Sequence, residues 1–302
     1  MGKVVSVLIP TRNRPVLAIK AVKSALAQTY RSIEIVVTDN SDTDELGDLL
    51  ASIGDDRIKY TKNLENIGPI LNWRKALDIA NGEYCIILPD DDYLINPFYV
   101  EDATGILAND AINLIIPDCI LSYPNKNVIG SSGYSGLIKG QDFIRKGHHI
   151  PHIGNVFRKK MAQRLNAFHS NEILWSDIEL WMKLMSDGYA YCYSKPSVLY
   201  LFHDNNIVFN MSRAELITNS RYIRLALDSF ADEKLIAEMV TRYLCTIDSM
   251  SNDVDREFIS AVININDIKS KQLHILSKFR FRRAKKIAKT IIIKSLKTLK
   301  IQ

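Results

Sequence analysis

Hydrophobic and polar positions change period repeatedly over the first ninety residues. Val4–Ile9 is an unbroken apolar and β-branched run, which predicts a buried strand. Pro15 then marks a helix start, and Ala18, Ala21, Val22, Ala25 and Leu26 recur at helical spacing. Ile33–Val37 reads as a second strand ending in Thr38-Asp39, and Asp42 or Thr43 caps a helix carrying Leu46, Leu49 and Leu50. A short strand over Ile58–Tyr60, a helix from Pro69 to Ala80 stopped by Asn81-Gly82, and a strand over Tyr84–Leu88 complete the series.

This β-α-β-α-β-α-β order predicts an α/β fold with a mostly parallel sheet covered on both faces. Ligands in such sheets bind outside the carboxyl ends of the strands. Three polar groups fall there: Thr11-Arg12-Asn13-Arg14, Asp39-Asn40, and Asp90-Asp91-Asp92. Three adjacent carboxylates after a buried strand repel one another unless water or a cation lies among them. Oxygen-rich sites of this kind hold Mg²⁺ or Mn²⁺ through one or two carboxylates together with substrate phosphates. A solvated acidic turn is the plainer alternative.

Beyond Pro97 a further helix and a strand over Ile112–Ile116 are expected to extend the sheet. Ser122–Gly136 reads as a loop or hairpin, Asp177–Ser186 as a helix, Ser197–Phe202 as a strand, and Glu215 to about Met250 as helical. The first strand–helix turn holds no glycine, and neither G-x-x-x-x-G-K-[ST] nor G-x-G-x-x-G occurs there, so dinucleotide and P-loop modes of phosphate binding are excluded.

Composition narrows the class. Hydrophobic residues make up 47% and charged residues 24% of 302, as in an ordinary globular chain. Four scattered cysteines form no C-x-x-C pair, which fits a reducing compartment. The N-terminal apolar run is too short for a signal core, and no apolar run reaches the ~18 residues of a membrane span. The net charge of +5 is uneven. Residues 278–302 carry ten lysines and arginines and no acid, leaving −5 on the rest. Phe281, Ala284, Ile287, Ala288, Ile291, Ile292, Leu296 and Leu299 alternate with these bases at helical spacing. A basic amphipathic helix of this form suits an anionic membrane surface, and the alternative is a helix packed on the domain with a solvated face. No aromatic platform or recognised module points to nucleic acid.

The segments "VSVLIPTRNR", "IEIVVTDNSDTD", "NIGPILNWRKALDIANGEYCIILPDDD", "LWSDIELWMKL" and "YLFHDNN" resemble, in order and separation, the family-two glycosyltransferases of the nucleotide-diphospho-sugar (GT-A) fold. The resemblance spans roughly residues 4–210. It implies a catalytic domain over 1–214, with a nucleotide-sugar half (1–95) and an acceptor half (96–214), followed by a helical region (215–302).

The resemblance also implies roles. Pro10, Thr11 and Arg14 line the nucleotide pocket, and Asp39 accepts a hydrogen bond from the base, commonly uracil. Asn66 and Gly68 belong to the segment closing over the nucleotide, with Arg74 just beyond. Asp90 and Asp92 are the ends of a D-x-D motif, with Asp92 nearest the metal and Asp91 on ribose or sugar. Relatives often carry aspartate where Pro89 stands, which leaves the motif's register open by one residue. Asp177 matches the catalytic base, with Ser176 in place of the usual glutamate. His203 matches a late histidine that touches metal or phosphate. Read without the family, Asp177 is a helix cap, and Trp175 is either an acceptor-stacking ring or core.

The expected activity is inverting, Mn²⁺- or Mg²⁺-dependent transfer from a UDP-sugar to a saccharide or polyprenyl-linked acceptor. Its setting would be bacterial surface polysaccharide synthesis at the cytoplasmic face of the membrane. A sugar-phosphate nucleotidyltransferase would need a glycine-rich basic first loop, which is missing. A catalytically silent binding module would keep Asp39 without needing Asp177.

Overall fold

The computed structural model describes residues 2–146 and 153–203, and beyond these only 212, 214, 215, 218 and 219. Apart from Thr218 and Asn219, the helical region expected beyond Glu215 lies outside the described residues, as does the basic tail over 278–302. Contacts divide the chain into Met1–Phe143 with His148–Asn210, and Ile144–Gly147 with Met211–Gln302. All the site residues belong to the first unit.

The first half follows the expected alternation: β1 (Val5–Thr11), α1 (Pro15–Leu26), β2 (Ile33–Asp39), α2 (Glu45–Ile53), β3 (Ile58–Lys62), α3 (Pro69–Ile79) and β4 (Tyr84–Ile87). Next come β5 (Tyr93–Leu94), α4 (Tyr99–Ile106), β6 (Ile112–Tyr123), β7 (Lys126–Gly130), β8 (Gly136–Lys139) and α5 (Gly140–Lys146). The last described elements are β9 (Val156–Arg158), α6 (Lys159–Arg164), α7 (Ser176–Ser186) and β10 (Tyr189–Leu201).

The sheet runs β3-β2-β1-β4-β9-β6-β10-β5, with β7 on β6 and β8 on β10. Its first four strands are parallel, as are β6 and β10. β9 is antiparallel to both neighbours, so β6 reaches β4 only through it. The Ser122–Gly136 stretch contains the antiparallel β6–β7 hairpin.

Burial explains the strand patterns. All seven residues of β1 and of β2 are buried, as expected of parallel strands covered on both faces. Val5, Val7 and Ile9 share a core with Ala18, Ala21, Val22 and Ala25 of α1. α3 packs on β1 and β2, burying Ile70, Ala76 and Leu77.

A polar clamp closes the amino end of this sheet. Glu34 is buried in β2 and accepts bonds from Lys59 Nζ, Ser6 Oγ and the Asn81 and Gly82 amides. Desolvation pushes its pKa up, but the bonds from Lys59, Ser6 and Asn81 outweigh it and hold the carboxyl at about 2. Gly82 is required by close approach, since a Cβ there would lie 2.6 Å from the Ser6 amide nitrogen. Strand starts are thereby fixed, and the candidate site lies at the opposite rim.

Candidate active site

The turn after β1 is built by side chains instead of glycine. Asn13 takes a left-handed φ of 54°, receives the Asp42 amide on its Oδ1 at 3.0 Å, and donates its own amide to Ser41 Oγ at 2.7 Å. This knots the β1 turn to the loop after β2. Arg14 precedes Pro15 at the start of α1, and the proline holds it out of helical geometry.

From there Arg14 reaches the acidic turn after β4. Its Nη1 lies 2.6 Å from Asp91 Oδ2 and 3.3 Å from Asp90 Oδ1. Thr11 Oγ1 donates to Asp90 Oδ2 at 2.6 Å. His203, two residues past β10, places Nε2 2.9 Å from Asp91 Oδ2, a contact that needs a proton on Nε2 when Asp91 is ionised. The structure thus pairs His203 with Asp91 and not with Asp92. The Leu201 amide donates to Asp92 Oδ1 at 3.1 Å.

All three aspartates are buried, with 3, 7 and 1% of their surface exposed. Burial pushes Asp90 up to about 6 despite Arg14 and Thr11, and burial with the Asp91 charge drives Asp92 well above the usual carboxylate range. Asp92 Oδ2 is buried with no hydrogen-bond partner. An orphaned carboxylate oxygen among like charges fits a hard cation, which binds such oxygens and completes its shell with phosphate or water. Among the described residues no group of three His, Cys, Asp or Glu side chains could hold a metal alone. An ion there would need ligand or water oxygens besides these carboxylates.

Asp39 ends β2 fully buried, accepting from the Ser41 amide at 2.8 Å and from Tyr60 Oη at 3.0 Å. Each oxygen keeps a second lone pair. Pro10 lies one residue before Thr11, within β1 opposite Thr38. Beneath these strand ends lies an asparagine network absent from the sequence reading. Asn72 Nδ2 donates to Thr38 O at 2.9 Å, Asn63 Nδ2 bridges Asn40 Oδ1 and Asn72 Oδ1, and Asn40 Nδ2 donates to Gly68 O. Asparagine reads as a turn residue in sequence, and only its place just after a strand or on a buried helix face marks it otherwise.

Gly68 begins α3 with φ of 85°, and Asn66 Oδ1 accepts its amide at 3.0 Å. Arg74 is committed elsewhere: its guanidinium contacts Asp78, Asn166 Oδ1 and Ala167 O, none of them in the acidic cluster.

Asp177 occupies the first turn of α7, its Oδ1 accepting the Ile178 amide at 2.8 Å. The residue keeps part of its surface open, yet protein surrounds the carboxyl and desolvation pushes its pKa up to about 7. Burial pushes the Tyr200 hydroxyl upward, and the charges of Asp92, Asp91 and Asp177 add to the rise. Beside it Phe202 stacks on Tyr123 with centroids 4.2 Å apart. Ser176 is buried and donates to Ile173 O. Trp175 is 8% exposed, and Trp181 is fully buried with its ring edge-on to Phe157, so both belong to the interior.

A sheet whose parallel half ends in a buried acidic turn after β4, with helices packed against it, is the arrangement of the GT-A class. The S. aureus TarS fragment 1-349, crystallised in complex with UDP, shares this fold with a TM-score of 0.73 and 17% identity, over 97% of this chain and 88% of that one. The mannosyltransferase PcManGT from Pyrobaculum calidifontis, in complex with GDP-Man and Mn²⁺, matches at a TM-score of 0.55 and 16% identity, over 99% and 88%. The chain belongs to glycosyl transferase family 2, whose profile matches residues 6–165. It is 27% identical over 231 residues to the GalNAc(5)-diNAcBac-PP-undecaprenol beta-1,3-glucosyltransferase of Campylobacter jejuni, covering 73% of this chain and 72% of the relative. It is also 27% identical over 188 residues to the UDP-Glc:alpha-D-GlcNAc-diphosphoundecaprenol beta-1,3-glucosyltransferase WfaP of Escherichia coli, covering 62% and 72%.

Proposed function

We propose that this family-two enzyme transfers a hexosyl group from a UDP-sugar to a hydroxyl of a polyprenyl-diphosphate-linked saccharide, with inversion at the anomeric carbon. The observation that carries the reading is the buried Asp90-Asp91-Asp92 turn beyond β4, where Arg14 and Thr11 hold two of the carboxylates and Asp92 Oδ2 is left without a partner. That arrangement supports a donor-side acidic centre, and Asp177 at the start of α7 supplies a separate carboxylate for the acceptor. The relatives named for undecaprenol-linked substrates support the acceptor class, and one of them is named for UDP-Glc.

Each residue has a task under this reading. Asp39 accepts from the base, Pro10, Thr11 and Arg14 line the nucleotide pocket, and Asn66 and Gly68 close over it. Arg74 supports the closing helix from behind through Asn166 and Ala167. Asp92 would hold Mn²⁺ or Mg²⁺, with Asp90, Asp91 and His203 around it. Such an ion neutralises charge on a departing diphosphate. The acceptor oxygen attacks the anomeric carbon, the bond from that carbon to the diphosphate oxygen breaks, and the hydroxyl proton passes to Asp177. A pKa of about 7 suits a base that must take a proton near neutrality. One displacement from the face opposite the leaving group inverts the centre, so an α-linked donor yields a β-glycoside.

Among the described residues no helix is long and apolar enough to cross a membrane. The basic tail at 278–302 would bring the enzyme to the anionic surface where a lipid-linked acceptor resides. Incubating the full chain with Mn²⁺, a panel of UDP-sugars and a short polyprenyl-diphosphate saccharide tests the proposal, with product configuration read by NMR. One donor giving a β-linked product is expected. Retained configuration, or no transfer from any UDP-sugar, overturns it.

A further inference from the structure

Helix α3 has no local cap. Its N-cap is Gly68, which offers no side chain, and Pro69 brings no amide hydrogen. The next two amides, Ile70 and Leu71, both donate to Asn171 Oδ1 at 3.0 Å, from about a hundred residues away in sequence. These are the positions a capping side chain normally serves. The other end of the same amide group, Asn171 Nδ2, donates to Ile67 O at 2.7 Å. Three hydrogen bonds from one side chain thus hold both sides of Gly68. The fit is tight, since a Cβ on Gly68 would lie 2.3 Å from Asn171 Nδ2. Gly68 is therefore demanded twice, by its φ of 85° and by this approach.

Asn171 is joined to Asp177 by a short stretch of turns. Only five residues separate them, and these form consecutive turns: Ile173 N donates to Ser170 O, and Ser176 N and Oγ to Ile173 O. Ile173, Trp175 and Ser176 are buried, which holds the turns in place. On the opposite side, Gly68 O accepts from Asn40 Nδ2, next to Asp39, and from the Asn72 amide. Polar contacts therefore run from the end of β2 to Gly68, and Asn171, bonded to residues on either side of Gly68, leads through two short turns of chain to the start of α7.

We infer that Asn171 is a positioning residue, a strut that couples the segment closing over the nucleotide at Gly68 to placement of the Asp177 carboxylate. The inference rests on the nucleotide-sugar reading of that segment. A donor that orders residues 66–72 then also orders the base, so acceptor activation follows donor binding. Removing the strut uncaps α3 and disconnects the two half-sites.

Hydrogen exchange of the full chain, with and without UDP and Mn²⁺, tests this. In the wild type UDP slows exchange in both 66–72 and 173–178. In Asn171→Ala protection is confined to 66–72, and Asn171→Asp, which keeps an acceptor for the two helix amides, recovers part of the second effect. A misplaced base should lower kcat about 10- to 100-fold while UDP affinity shifts about twofold or less. Protection of both segments in Asn171→Ala overturns the inference and leaves the donor reading standing, as does wild-type protection limited to 66–72. Wild-type protection in neither segment overturns both.

Discussion

Thr11 Oγ1 donates to Asp90 Oδ2 at 2.6 Å, tying the end of β1 to the turn after β4. The bond is buried, and it joins the two strand ends that the candidate site needs at a fixed separation. Thr11→Val keeps the shape and removes the donor, leaving a buried carboxylate oxygen unsatisfied. Unfolding free energy in urea at pH 7 should fall by about 1–3 kcal/mol.

The same carboxyl sets a pH dependence. Asp90 has a folded pKa of about 6 against an ordinary 3.8, raised chiefly by burial. Between those values the native state holds a proton that the unfolded chain has released, so stability falls as pH rises through this window. Asp90→Asn should flatten that slope in urea titrations from pH 4 to 7. An unchanged slope would mean that Asp90 is not the group responsible.

Arg14 is the cation facing Asp90 and Asp91 in this cluster. Arg14→Ala leaves two buried carboxylates facing each other. Because the guanidinium is one third exposed, the loss should be smaller than the about 3–5 kcal/mol seen when fully buried pairs are broken. If the triplet accepts a divalent ion, Mn²⁺ should raise the melting temperature of Arg14→Ala more than that of the wild type. Equal shifts would argue that the ion binds elsewhere.

Asp177→Asn removes the proposed base without changing its shape. Transfer should drop by about 10²–10⁴-fold while UDP binding is kept. In the wild type, burial places the carboxyl at about 7, so the ionised, proton-accepting form grows as pH rises through that value. kcat/KM should climb to a plateau above it. Stability should move the opposite way, since the native carboxyl keeps its proton to a higher pH than the unfolded chain does. Activity independent of both pH and the substitution would remove Asp177 from the chemistry.

The parallel half of the fold was legible because its strands are long, apolar and punctuated by clear helix signals. Pro15, Pro69 and Asn81-Gly82 mark boundaries that recur in α1, α3 and the turn before β4. β9 leaves no mark in the sequence because three residues are too few to show a period, and its antiparallel insertion separates β6 from β4. The sequence pattern marks β10 only from Ser197, while the strand starts at Tyr189 and carries register shifts around Pro196 that interrupt its alternation. The acidic triplet stood out by its charge. The Asn40, Asn63, Asn72 and Asn171 contacts did not, because each depends on partners brought together only by the tertiary structure.

Calorimetric titration of UDP into the full chain, with and without Mn²⁺, for wild type and Asp92→Asn, tests most directly whether the acidic triplet holds a nucleotide diphosphate through a divalent ion. Strong binding in the wild type only when Mn²⁺ is present, with that enhancement lost in Asp92→Asn, is the predicted result. UDP binding that ignores both Mn²⁺ and the substitution would contradict it.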